Sequence, residues 1–207
     1  MSDGRRVTLE CASLECALAE AAAARGLWRL EQLAAQAADA REHEVGAEGV
    51  ARSAAAMLEL ERLAGVRQDE GVELCGLLNR IATLVQLAAS GGSTMATRVV
   101  AAEVPAIFAR GVAAAVLDLF NVVTPGVGDA GRPVLMLATS LDEGDLVLTV
   151  AAPPGAEVPG VSAARSLERA GRIVRLLGGT VTRGMDGGLH LAGLICPMPT
   201  PNDADAA

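Results

Sequence analysis

The stretch Arg172-Ile173-Val174-Arg175-Leu176-Leu177-Gly178-Gly179-Thr180-Val181 decides how the C-terminal half of the chain folds. Apolar residues at helical spacing lead into it: Leu167, Ala170, Val174 and Leu177. Ser162 can cap the start of this helix, and the two glycines supply the positive φ that ends one. Val181 then begins a strand. The stretch therefore predicts a helix that turns directly into a β-strand.

Short strands and one more helix surround this unit. Asp186-Gly187-Gly188 predicts a tight turn into a last strand, Leu189 to Ile195. Upstream, Val134 to Ala138 and Leu146 to Val150 predict a hairpin that turns at Asp142 to Asp145. A strand at Arg98-Val99-Val100 and a helix from Pro105 to Pro125 precede them. Together these elements predict an α/β sandwich, with helices on one face of a mixed sheet.

The N-terminal third is helical in pattern. Leu9 to about Ala40 is rich in helix formers with apolar residues at three- and four-residue steps, and the pattern breaks at Arg41 to Gly46. A second helical period runs from Val50 to Ala64. We expect an antiparallel helical hairpin. Because a lone hairpin cannot bury its apolar stripe, we expect it to form a four-helix bundle in a homodimer.

A third helix, Leu74 to Ala88, connects the two parts. The predicted class is α+β, with a helical dimerisation and phosphotransfer-like domain at residues 1–69, an α/β domain at 70–198 and a mobile tail at 199–207.

The composition argues against two classes of binding partner, nucleic acids and membranes. The 207 residues include 25 acidic and 17 basic side chains, a formal net charge of −8, and aromatic residues are 1%. Such a chain has neither the basic face nor the stacking platform that nucleic acids need. Charged residues interrupt every long apolar run, and we expect no secretion signal, because no apolar run follows Met1 to Arg6. We expect a cytoplasmic protein that binds neither nucleic acid nor membrane.

The order of elements resembles the histidine kinases of two-component signalling and the dimeric histidine phosphotransferases. The segments that carry the resemblance are Gly71 to Leu74, the helix Ala106 to Val123, and Ala164 to Pro197 with its Gly178-Gly179 turn and final hairpin. The resemblance implies a helical-hairpin dimerisation domain joined to an ATP-binding domain of the class shared by gyrase, Hsp90, histidine kinases and MutL.

The residues that would hold a nucleotide depart from the family pattern. The resemblance implies a Glu and, four residues later, an Asn that serve Mg²⁺ and phosphate; Asp118 matches the acid, but Val122 stands in place of the Asn, and Asn121 is one position away. The segment that should carry an adenine-reading Asp, Val150 to Gly155, has no carboxylate. Asp118, Asn121, Gly155 and Gly160 are thus vestigial candidates for cofactor binding.

The phospho-accepting His that the resemblance implies is also missing. Ala21 to Leu30, where it should lie, contains no histidine. His43, between Glu42 and Glu44, is the candidate phospho-acceptor, and a solvated turn histidine is the alternative. His190 fits an ordinary sheet position, and Cys75 a small core residue. No metal-ligand spacing occurs.

The leading hypothesis is a degenerate histidine-kinase-like or histidine-phosphotransferase-like protein that binds a response-regulator receiver domain or a histidine kinase, without ATP hydrolysis and with no cofactor expected. The alternative is an active histidine phosphotransferase that relays phosphate through His43 to a receiver. A third hypothesis keeps weak ATP and Mg²⁺ binding through Asp118, Asn121 and the Gly155 to Gly160 loop.

Overall fold

The computed structural model describes residues 13–26, 55, 59, 62, 71–88, 94–123, 134–153 and 160–199. The helices are α1, of which residues 13–26 are described, α2 (Leu74–Ala88), α3 (Ala106–Val123) and α4 (Gly160–Leu176). The strands are β1 (Val72–Glu73), β2 (Thr94–Arg98), β3 (Glu103–Val104), β4 (Val134–Asp142), β5 (Asp145–Ala152), β6 (Thr180–Asp186) and β7 (Leu189–Pro197).

Five strands form a mixed sheet in the order β2-β4-β5-β7-β6. β2 runs parallel to β4, and every other neighbouring pair is antiparallel. Residues of β4 and β5 alternate between buried and more exposed positions, so that one face of the sheet is covered by helices. The predicted α+β class and the mixed sheet are confirmed.

Local sequence signals set the turns. Glu143 and Gly144 have φ values of 50° and 93°, and Gly187 and Gly188 have 53° and 77°. Both hairpins therefore turn through two residues of positive φ, the geometry that matches the twist of the strands they join. The two turns lie where the sequence predicts them.

The Gly178-Gly179 pair ends α4 as predicted. Gly178 has φ of 81°, its N–H donates to the Arg175 carbonyl at 3.0 Å, and the Gly179 N–H donates to the Val174 carbonyl at 2.9 Å. This is the Schellman pattern of hydrogen bonds, which satisfies the last carbonyls of a helix. A Cβ on Gly179 would lie 2.2 Å from the Ile195 carbonyl oxygen, so β7 can approach only because this position has no side chain.

Three details differ from the sequence prediction. β2 lies at Thr94–Arg98, so Val99 and Val100 follow the strand. α4 begins at Gly160, which places Ser162 inside the helix rather than at its cap. β1 and β3 form a small two-stranded sheet that the sequence does not predict. Pairing between strands depends on residues distant in sequence, and it shifts boundaries that local propensity sets only loosely.

Of the predicted hairpin, the structure describes α1 and three helical residues, Ala55, Glu59 and Arg62. The predicted turn between the two helices, the dimer interface and the tail 200–207 lie outside the described residues. The buried residues of α1 belong to the same hydrophobic core as those of α3 and the sheet. α3 is apolar enough to suit a membrane span, but 78% of it is buried within the protein, as in a core helix.

Candidate functional site

The buried stripe of α1 includes a charged side chain. Its apolar members are Leu14, Ala17, Leu18 and Ala21, each at most 5% exposed. These positions recur at three- and four-residue steps, and the next position on the stripe is Arg25, which is 1% exposed. The helix therefore carries a guanidinium into the interior.

Arg25 meets the one buried carboxylate of α3. Its Nη1 lies 3.1 Å from Oδ2 of Asp118 and 3.4 Å from the carbonyl oxygen of Ala114. Asp118 is completely buried, and the residues next to it on the helix, Leu117 and Leu119, are apolar and buried. A carboxylate in such a place needs a cationic or hydrogen-bonding partner, and Arg25 is one.

A second arginine reaches the same carboxylate from α4. Arg169 Nη2 donates to Asp118 Oδ1 at 2.7 Å, and its Nε lies 3.2 Å from Oδ1 and 3.4 Å from Oδ2. The same Nη2 donates to the Ser166 hydroxyl at 2.9 Å. Arg169 is less buried than Arg25, with 24% of its side chain exposed. Arg25, Asp118 and Arg169, here called the charge cluster, join three helices at one point.

The electrostatics of the cluster are set by burial and by the two guanidiniums. Burial raises the pKa of the Asp118 carboxyl, and the hydrogen bond and charge of Arg169, with the charge of Arg25, act in the opposite direction. Both arginines bond this carboxylate, so the cluster can hold three helices together. A metal cation placed at Asp118 would be repelled by the two guanidiniums.

Two further ion pairs hold α1 against α3 and α4. Arg110 of α3 donates to the Glu15 carboxylate through both terminal nitrogens, at 2.8 and 3.3 Å. Arg172 of α4 pairs with Glu20. Because residues 15 and 25 of α1 meet residues 110 and 118 of α3, these two helices run in the same direction. Ion pairs therefore join α1 to both α3 and α4.

The structure describes three of the four residues predicted to bind a cofactor. Asp118 lies in the charge cluster, and Asn121 is half-buried one turn later on α3. Val122 is buried in the core. Gly160 is the first residue of α4, and Gly155 and His43 lie outside the described residues.

The segment that the resemblance assigns to adenine recognition includes the last three residues of β5. Val150, Ala151 and Ala152 are all buried, and they pair with Ala192, Leu191 and His190 of β7. This end of β5 therefore offers methyl groups where the family pattern would have a carboxylate. His190 is half-buried and also pairs with Met185 of β6.

Among the described residues, the cysteines and acidic side chains form no metal-binding cluster. Burial raises the pKa of the Cys196 thiol to about 12, with a smaller contribution from Asp145, which favours the unreactive protonated form. Cys75 accepts a hydrogen bond from Asn79 at 3.2 Å. Within the described ranges, no three His, Cys, Asp or Glu side chains come close enough together to hold a metal ion.

Sequence reasoning missed Arg25, Arg169 and Ser166. One signal for Arg25 was present, because it follows Ala21 by four residues on the apolar stripe of α1. It also falls in the segment where the family resemblance places its histidine. Arg169 gave no such signal, since arginines are frequent along α4.

No family model matches the chain, and no curated protein matches its sequence. Solved structures do. A bacterial phosphotransferase solved at 1.7 Å has a TM-score of 0.53 and 16% identity over 94% of this chain and 97% of its own.

Two histidine kinases also match. One, from Burkholderia phymatum STM815, has a TM-score of 0.50 and 15% identity over 97% of this chain and 100% of its own. The blue-light activated histidine kinase of Erythrobacter litoralis EL346 has a TM-score of 0.55 and 17% identity over 75% of this chain and 50% of its own. The chain has a histidine-kinase-like fold.

Proposed function

We propose that this chain is a signalling protein that uses a histidine-kinase scaffold to bind a two-component partner and does not turn over ATP. The observation that carries the proposal is the charge cluster. Asp118, the only match to the family's metal-holding acid, is completely buried and hydrogen-bonded to two arginines. The fold and its structural neighbours support the signalling context.

Mg²⁺ and a triphosphate do not fit the residues present. Mg²⁺ requires near-octahedral oxygen ligands, and here both Asp118 oxygens already accept from guanidiniums. A dication would have to displace Arg25 and Arg169 against their charge. The second ligand position holds Val122, whose side chain is buried and cannot coordinate.

The residues in the segment that should recognise adenine do not fit a nucleotide either. A site built to hydrogen-bond an exocyclic amine needs an acceptor, and Ala151 and Ala152 supply none through their side chains. Losing that acceptor together with the metal ligands leaves the nucleotide without its orienting contacts. No cofactor is part of this proposal.

The partner is a response-regulator receiver domain or a histidine kinase. We propose that the chain meets it in the cytoplasm as a homodimer, with the helical hairpin as the dimer contact. Its effect would come from occupancy of the partner, since the chain contributes no phosphoryl donor of its own.

Two measurements test the proposal. Calorimetry of the full chain with millimolar Mg-ATP should give no binding heat, with a catalytically competent histidine kinase as the positive control in the same buffer. Biolayer interferometry against a panel of purified receiver and kinase domains should detect at least one complex. Saturable Mg-ATP binding, or no complex with any panel member, would contradict it.

The second candidate function is phosphotransfer through His43, favoured by the likeness to a bacterial phosphotransferase over nearly the full length of both chains. A receiver aspartyl phosphate would give its phosphoryl group to an imidazole nitrogen of His43, and the aspartate carboxylate would leave. Incubation with phosphorylated receiver should then yield acid-labile label on the chain. His43→Ala should abolish that label and His190→Ala should keep it; retention in His43→Ala would exclude this route.

A further inference from the structure

Positive charge in this acidic chain is concentrated in α4 and β6. Residues 160–186 contain five arginines and two carboxylates, Glu168 and Asp186, whereas the whole chain has a net charge of −8. The local excess is therefore opposite in sign to the rest of the molecule. Such segregation creates a surface field that a uniformly acidic protein lacks.

The geometry places most of these arginines outward. The buried positions of α4 are Ala163, Ser166, Ala170, Ile173 and Val174. At 100° per residue, Arg165, Arg172 and Arg175 all lie on the side of α4 opposite this stripe. Arg183 of β6 pairs with the buried Ala192, so it lies on the sheet face that α4 covers, on an edge strand.

Three of these arginines are unused by the fold. Arg165, Arg175 and Arg183 are exposed, and they form no ion pair or hydrogen bond in the part of the chain that the structure describes. We call these three the arginine ridge. Arg98, on the opposite edge strand β2, is the other described arginine without an ion pair.

We propose that the arginine ridge is the docking surface for a protein partner that presents a carboxylate-rich face. The inference deepens the proposed function, on which it rests, by naming the chemistry of the partner's contact. Charge complementarity carries it: exposed guanidiniums pair with carboxylates in bidentate fashion and steer an acidic partner to one edge of an otherwise acidic molecule. Docking there leaves the charge cluster intact, since Arg169 stays with Asp118.

The first arm of the test uses poly-L-glutamate as a carboxylate probe. Fluorescence anisotropy at low salt compares the wild-type chain with Arg165→Gln/Arg175→Gln/Arg183→Gln and with the matched control Arg98→Gln. The triple variant should bind at least tenfold more weakly, and the control should stay within twofold. Equal binding by all three proteins, or no binding by the wild type, would overturn the ridge.

The second arm uses the receiver and kinase panel with the same three proteins. Association with the binding partner should slow by about tenfold in the triple variant, and rising salt should slow the wild type more than the variant. Circular dichroism confirms that the variants are folded. An unchanged association rate would overturn the ridge and leave the proposed function standing.

The two proposals fail in different ways. If no panel domain binds the wild type but poly-L-glutamate binding depends on the ridge, the proposed two-component partner is wrong and the ridge stands. A duplex DNA probe that binds the ridge more tightly than poly-L-glutamate does would overturn the assignment to a protein partner.

Discussion

α3 and α4 contact each other on the same side of the sheet. They differ in where their charged side chains lie, because α3 buries its carboxylate and α4 exposes most of its arginines. α3 is buried along most of its length and holds one carboxylate, Asp118, with no exposure to solvent. α4 buries a narrow stripe and carries four arginines, most of them at the surface. The buried charge of α3 therefore serves the fold, whereas most of the charges of α4 lie at the surface.

The difference follows from desolvation. A carboxylate moved into the interior loses its water and persists there only with charged hydrogen-bond partners, so Asp118 requires Arg25 and Arg169. An arginine on the outside of α4 keeps its water and costs the fold almost nothing. Four substitutions test how far this contrast extends.

Asp118→Ala should destabilise the protein most. It leaves the buried Arg25 guanidinium without its carboxylate, which costs about 3–5 kcal/mol of unfolding free energy. Urea unfolding followed by circular dichroism measures the loss. Asp118→Asn, which keeps the volume and one acceptor oxygen, should lie between this variant and wild type. A loss below about 1 kcal/mol in Asp118→Ala would contradict the role given to the cluster.

Arg25→Met should cost about 1.5–3 kcal/mol, the value of a hydrogen bond to a charged group. Methionine keeps the apolar contacts of the arginine stem on the buried stripe, and Asp118 retains Arg169. The same substitution made in the Asp118→Ala background should cost less, because the partner is already gone. Identical losses in the two backgrounds would show that the two groups are not coupled.

Arg169→Gln should cost about 1 kcal/mol, less than Arg25→Met. Water reaches the Arg169 side chain, which is 24% exposed, and can replace part of its contact with Asp118. Thermal unfolding of the two single variants under one buffer gives the ranking. A larger loss of stability for Arg169→Gln than for Arg25→Met would show that the energetic cost does not follow the burial of the two arginines.

Arg172→Gln should change the unfolding free energy by less than about 0.5 kcal/mol, because its pair with Glu20 is exposed to solvent. The side chains are 52% and 55% exposed. Whatever difference remains at low salt should disappear at about 1 M NaCl, where such pairs are screened. A loss comparable to that of Arg25→Met would mean that the surface of α4 is as structural as its interior.

Much of the C-terminal half could be predicted from the sequence. Both hairpin turns and the end of α4 follow from residues such as Gly144 and Gly178, whose positive φ is a local property. Alternating apolar residues gave β4, β5 and β7, and the resemblance to histidine kinases gave the fold. The small β1–β3 sheet escaped prediction because two-residue strands have no period to detect.

The candidate site was less accessible from the sequence. Asp118 was singled out by its place in a family pattern, which said nothing of the partners it would have here. Asn121 was considered as a substitute ligand, and the structure places it half-buried on α3, outside the charge cluster. His43 and Gly155 lie outside the described residues, so their roles remain predictions.

The amino-acid sequence alone determined the end of α4, the two hairpin turns and the absence of a carboxylate from Val150 to Gly155, since each depends on residues a few positions apart. Tertiary structure alone decided that Asp118 belongs to an ion-pair cluster. Its partners Arg25 and Arg169 lie 93 and 51 residues away along the chain. Contacts at such separations arise from the packing of α1 and α4 on α3, and no local pattern encodes which charges that packing will bring together.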